Sequence, residues 1–115
     1  MNPLLPSWGD IWEVDLNPTR GHEQAGMRPA LVVSVDIFNH GPAELVVVTP
    51  VTTTARGIPL HVPIAPPEGG VKRLSFIKCE DVRSVSRDRL VTYWGSVNAS
   101  TMEAVADRLR ILLDL

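Results

Sequence analysis

The sequence predicts an α+β chain, mostly β: a small, strongly curved antiparallel sheet or partial barrel with one C-terminal α-helix. Three observations predict it. Short runs rich in Val, Ile and Leu recur along the chain, each too brief for a helix. Ten prolines and eight glycines are scattered among them, as short strands joined by turns require. Only the last segment spaces its apolar residues helically.

The elements follow in order. A turn is expected near Ser7–Trp8. Ile11–Leu16 interrupts apolar positions with Glu13 and Asp15, so it reads as a half-buried strand. Asn17–Arg28 is a polar, glycine-containing loop. Ala30–Val35 is almost wholly apolar and β-branched, a buried central strand, with a helical turn near Val35–Phe38. Leu45–Thr49 is a second such run. Ile58–Ile64 is broken by Pro59 and Pro63, which demotes it to an edge or irregular strand. Leu74–Lys78 and Val82–Val85 complete the strands. Tyr93, Trp94 and Val97 lead into the helix. Ser100 is its expected N-cap, with Glu103 completing a capping box. Met102, Val105, Ala106, Leu109, Leu112 and Leu113 share one face, opposite Glu103, Asp107 and Arg110.

A chain of 115 residues predicts one domain spanning 1–115, large enough for a single core. No apolar run approaches the roughly 20 residues of a membrane span. The opening MNPLLPSWGD lacks the basic and apolar regions of a signal peptide. Cys79 is the single cysteine, so no internal disulfide forms, and a reducing cytoplasm is the expected setting. The net charge of −2 argues against a wholly basic nucleic-acid binder. Residues 52–94, however, carry seven Lys/Arg against four Asp/Glu, a local surplus suited to phosphate or to a solvated face.

The Asn17–Arg28 loop concentrates chemistry: Arg20, His22, Glu23, Gln24 and Arg28 lie among small residues. Arg28, fixed by Pro29 at the mouth of a buried strand, is placed to stabilise charge on a phosphate or to pair with Glu23 and pin the loop. Thr52 follows the Leu45–Thr49 strand, where its hydroxyl either contacts a phosphate or caps the strand end; Thr53 and Thr54 share its run. Arg56, Lys72, Arg73 and Arg83 are candidate phosphate or base contacts. Trp8, Trp12 and Tyr93 are candidate stacking residues, with Trp12 better suited to the core. His22, His40 and His61 are not at metal-ligand spacing, and no P-loop or G-x-S-x-G is present, so no metal or other cofactor is expected.

The segment GDIWEVDLNPTRGHEQAGMRP, residues 9–29, closely resembles the opening of the MazF/PemK toxin family. The residues that carry the match are Gly9, Asp10, Ile11, Trp12, Asp15, Pro18, Gly21, Glu23, Gln24, Gly26, Arg28 and Pro29. The run T-P-V-T ending at Thr52 resembles the family's V-P-[VC]-T. The G-H-E-Q around His22 and the Lys78-Cys79-Glu80 run resemble the PemK/Kid branch, with Lys78 and Glu80 standing where that branch has arginine and aspartate. The resemblance implies an SH3-like barrel, a homodimer and a metal-independent endoribonuclease acting on single-stranded RNA.

By the same resemblance, Arg28 stabilises the phosphate and Thr52 orients it. Lys78 clamps it, and Glu80 or His22 serves as base. From their residue types and positions, Arg20, Glu23, Gln24, Thr53, Arg56 and Arg83 are the expected RNA contacts. The implied partner is a cognate antitoxin with a disordered, acidic C-terminal tail. The related CcdB toxins, which bind gyrase without catalysis, and a non-cleaving RNA-binding module are the alternatives.

Overall fold

The computed structural model describes residues 5–17 and 26–115. Arg20, His22, Glu23 and Gln24 lie outside them. In chain order the elements are β1 (Asp10–Asp15), β2 (Met27–Val32), α1 (Asp36–Asn39), β3 (Leu45–Thr52), β4 (His61–Ile64), β5 (Ser75–Lys78), β6 (Arg83–Ser86), β7 (Leu90–Ser96) and α2 (Ala99–Leu113). Short 3-10 turns at Glu68–Gly70, Cys79–Asp81 and Arg87–Arg89 connect the later strands.

All pairings among these strands are antiparallel. Their order is β4-β5-β3-β2-β1-β7, with β6 joined to β3 off this path. β3 is the hub. One edge pairs with β2. Along the rest of the strand, Leu45–Val48 pair with β6 while Val51 and Thr52 pair with β5. Pro50 stands between the two partners and has no N–H to offer either. The Thr49 hydroxyl there donates instead to the Lys78 carbonyl, tying β3 to the end of β5.

The curved sheet buries side chains on both faces. Ile11, Leu31, Val51, Val62, Ile64, Ile77 and Cys79 pack with Met102 and Val105 of α2. Trp12, Val14, Ala30, Val32, Val46, Val48, Val85 and Leu90 form the other cluster. The period-2 alternation of strand side chains divides β1, β2 and β3 between the two. The sheet is nevertheless open: β4 and β7 are its ends, so the expected barrel is a rolled sheet without a closing ladder.

Four further expectations are corrected. β7 is a full strand, not a lead-in to the helix; it pairs with β1 over Asp10–Val14, with bulges that accommodate Trp12. β2 begins at Met27, so Arg28 is a strand residue and not a loop residue. Asn98, not Ser100, is the N-cap of α2, and its side chain makes no capping bond. Glu68 Oε2 takes that role, accepting from the Asn98 N–H at 2.9 Å and from the Thr101 hydroxyl. Leu112 and Leu113, placed on the buried stripe by periodicity, are exposed because α2 runs past the edge of the core there. Pro63 does sit on an edge strand, and the helical turn after Val35 is α1.

Candidate active site

A cleft of about 490 Å³ opens where β2, β3 and β5 meet. Arg28 and Pro29 of β2 and Val51 and Thr52 of β3 line one side, followed by Thr53, Thr54 and Arg56 of the next loop. Val71, Lys72, Arg73, Ser75 and Lys78 line the other, and Trp94 of β7 completes it.

Strand register brings these residues together. Ala30 faces Pro50 and Leu31 faces Thr49. Extending that register by two residues sets Arg28 beside Thr52. Thr52 in turn faces Phe76 on β5, one turn of the pleat from Lys78. Arginine, hydroxyl and ammonium therefore lie across three adjacent strands. The Thr52 oxygen accepts the Thr54 N–H at 3.1 Å, which leaves its own proton to donate into the cleft. Ser75 is buried and donates to the Arg73 carbonyl at 2.8 Å, fixing the turn that presents Lys72 and Arg73.

The electrostatics are one-sided. The lining includes the cations Arg28, Arg56, Lys72, Arg73 and Lys78, with no Asp or Glu among the described residues. Lys78 is the most enclosed, and Asp81 Oδ2 lies 3.9 Å from its ammonium, holding the side chain from behind. Arg83 approaches the same carboxylate oxygen at 4.0 Å.

Of the residues selected from sequence, Arg28, Thr52, Thr53, Arg56, Lys72, Arg73 and Lys78 meet in the cleft. Glu80 and Arg83 do not line it. Glu80 Oε2 instead accepts from His61 Nε2 at 2.8 Å, a contact with the histidine almost fully buried. Arg83 lines a separate hollow with Leu16, Ser84, Val85, Ser86 and Arg89. Trp12 is buried in the core, edge-on to Tyr93 with ring centroids 5.7 Å apart. Trp8 is half exposed, its backbone N–H donating to Asp36 Oδ1 at 2.7 Å, and it does not line the cleft.

Trp94 and Ser75 were not selected from sequence as site residues. The sequence carries no clear signal for Trp94, because β7 does not read as a strand; once it does, the pleat sets Tyr93 and Trp94 on opposite faces. Cys79 is shut into the core, where burial, reinforced by the charge of Glu80, pushes its thiol up to about 11. Among the described residues no group of three His, Cys, Asp or Glu side chains is placed to hold a metal ion, and no helix is long and apolar enough to cross a membrane.

Asp10 anchors the start of β1. Its carboxylate accepts from the Ser7 N–H at 2.9 Å, the Trp12 indole N–H at 3.1 Å and the Ser96 hydroxyl at 3.0 Å. Gly9 precedes it at φ +89°, a conformation that favours glycine. These bonds explain physically why Gly9, Asp10 and Trp12 occur as a unit.

The same architecture and sequence occur in known proteins. The chain is 35% identical over 112 residues to endoribonuclease MazF9 of Mycobacterium tuberculosis, covering 93% of this chain and 95% of the relative. It superposes on the crystal structure of MazF from Deinococcus radiodurans with a TM-score of 0.86 at 31% identity, covering 98% and 100% of the two chains. It also matches an endoribonuclease from a mycobacterial species, solved with its cognate antitoxin, at a TM-score of 0.80 and 27% identity, over 96% of each chain. The family model for the PemK-like, MazF-like toxin of type II toxin–antitoxin systems matches residues 7–113, and the chain belongs to that family.

Proposed function

We propose that the protein is a sequence-specific, metal-independent endoribonuclease that cleaves single-stranded RNA, the growth-inhibiting toxin of a type II toxin–antitoxin pair. The observation that carries the reading is the cleft itself: five cationic side chains around the Thr52 hydroxyl, with no carboxylate among its described lining residues. Such a surface suits a phosphodiester backbone and the additional negative charge that develops when it is attacked.

The economical route uses the substrate's own nucleophile. The 2′-oxygen attacks the adjacent phosphorus as its proton passes to a base. The P–O5′ bond breaks and the leaving 5′-oxygen takes a proton from an acid. The products carry a 2′,3′-cyclic phosphate and a 5′-OH. Arg28 binds the phosphate through its planar fork, Lys78 adds a point charge, and the Thr52 hydroxyl orients a non-bridging oxygen. Glu80 is already engaged by His61, which favours His22 over Glu80 as the base. Glu23, Gln24 and Arg20, on the same loop, contact bases and backbone with Thr53 and Arg56, while Arg83 extends the basic surface.

The protein acts in the cytoplasm, and it acts as a homodimer, a pairing supported by the apolar end of α2, where Ile111 and Leu113 are 67% and 53% exposed. Its antitoxin lays an acidic tail over the basic cleft and competes with RNA. That competition weakens as salt rises.

The test is incubation of the purified protein with a long single-stranded RNA in excess EDTA, beside Arg28→Ala, with product ends mapped. Discrete cuts ending in cyclic phosphate, lost in the variant, support the reading. A substrate whose scissile residue alone is 2′-deoxy stays intact. Its cleavage would refute the mechanism, and RNA binding without cutting would leave a non-catalytic binding module.

A further inference from the structure

A second hollow, of about 360 Å³, is lined by Gly70, Lys72 and Trp94. Lys72 and Trp94 also line the cleft, so the two spaces share a wall. Trp94 is half-buried, with part of its side chain packed against the core beneath α2. Gly70, at φ +78°, lets the 3-10 turn lie against the Trp94 backbone and so forms the floor of the hollow: a Cβ there would sit 2.3 Å from the Trp94 carbonyl oxygen. No aromatic side chain other than Trp94 lines the cleft among the described residues.

We infer that this hollow is a base-stacking subsite. The Trp94 indole takes the flat face of an unpaired base flanking the scissile phosphate, and Lys72 pairs with the adjoining backbone phosphate. The inference rests on the RNA-cleaving reading and adds to it a residue that holds substrate beside the reacting atoms. A large aromatic surface next to a row of cations suits single-stranded nucleic acid, which alternates flat bases with phosphates. Every base has a π-face, so stacking contributes affinity without choosing sequence. The subsite therefore governs KM, while Arg28, Thr52 and Lys78 govern kcat.

The experiment starts from the mapped cleavage site. A short single-stranded oligoribonucleotide spanning it is prepared with each flanking residue replaced in turn by an abasic ribose. Wild type, Trp94→Leu and Trp94→Phe are compared on every substrate. Leucine keeps apolar bulk against the core but has no ring, and phenylalanine restores one. One abasic position is expected to raise the wild-type KM roughly 5- to 100-fold, with kcat nearly unchanged. Trp94→Leu should raise KM on the intact substrate similarly and lose the penalty at that one position. Trp94→Phe should fall between, and the cut sequence should be the same in all three.

An independent reading is indole fluorescence with a substrate whose scissile residue is 2′-deoxy. Quenching on binding should persist in Trp8→Phe and vanish in Trp94→Phe. Trp94→Leu cleaving with wild-type constants, or every abasic penalty surviving in it, overturns the inference while leaving the nuclease intact. It would hand the hollow to a protein partner. A wild-type protein that cuts no RNA fails the underlying reading instead.

Discussion

The buried His61 and the partly exposed Glu80 are joined, imidazole Nε2 to carboxylate Oε2, at 2.8 Å, and neither lines the cleft. His61 stands on the edge strand β4 opposite Lys78, and Glu80 is on the 3-10 turn after β5. The pair thus braces the segment that delivers Lys78.

Glu80 and Lys78 should separate on mutation. Glu80→Gln keeps an oxygen to accept from His61, and its kcat/KM is expected to stay within about threefold of wild type. Lys78→Ala removes a charge from the cleft and should lower kcat/KM roughly 10- to 100-fold with the fold intact. Steady-state cleavage of the mapped oligonucleotide reads both. A Glu80→Gln variant as inactive as Lys78→Ala would restore Glu80 to the role of base.

Asp10 is predicted to be structural. Asp10→Ala leaves the Ser7, Trp12 and Ser96 donors without their acceptor and should cost about 2–3 kcal/mol in urea unfolding. Asp10→Asn, which keeps one carbonyl oxygen, should lose less. At a temperature where both variants are folded, kcat should match wild type.

The start of α2 depends on a residue outside it. Glu68→Ala should destabilise the protein by about 1–2 kcal/mol, because the Asn98 N–H and the Thr101 hydroxyl lose a shared charged acceptor. Ser100→Ala, at the position sequence patterning marks as the cap, should change stability by less than about 0.5 kcal/mol. Paired chemical denaturation curves test the contrast.

Cys79 makes stability pH-dependent at the alkaline end. Its thiol ionises near 9.0 when exposed and near 11 in the fold. Above pH 9 the unfolded chain gives up a proton that the native chain retains. Cys79 therefore stabilises the fold fully below pH 9, and that contribution is lost as pH rises towards 11. The urea midpoint should fall over this window, and less so in Cys79→Ala. At pH 8 a thiol-alkylating reagent should modify the native protein far more slowly than the unfolded one.

The sequence revealed the residues that line the cleft better than the contacts that support them. Arg28, Thr52 and Lys78 were legible because each belongs to a short motif at a strand end, and strand ends are where a sheet presents side chains. Glu80 looked free because its partner lies 19 residues earlier on another strand. Ser100 and Asn98 both suit a cap, and the choice between them turns on Glu68, 30 residues away from Asn98. β7 was missed because Leu90-Val91-Thr92-Tyr93-Trp94 lacks alternation, its residues being either packed on Trp12, turned to the cleft or left at the sheet edge. Local pattern carries local structure; pairings across the chain require the three-dimensional register.

The pairing of β1 with β7 has a consequence during synthesis. The first strand to emerge from the ribosome finds β2 early but must wait for the seventh strand to cover its other edge, where Asp10 faces Ser96 and receives its hydroxyl bond. Trp94 arrives on that same late strand and completes the cleft that Arg28 began. A nascent chain short of β7 therefore has its cations but not its full wall. The wall of the cleft is therefore closed by the last strand to be made, with only the helix α2 still to follow.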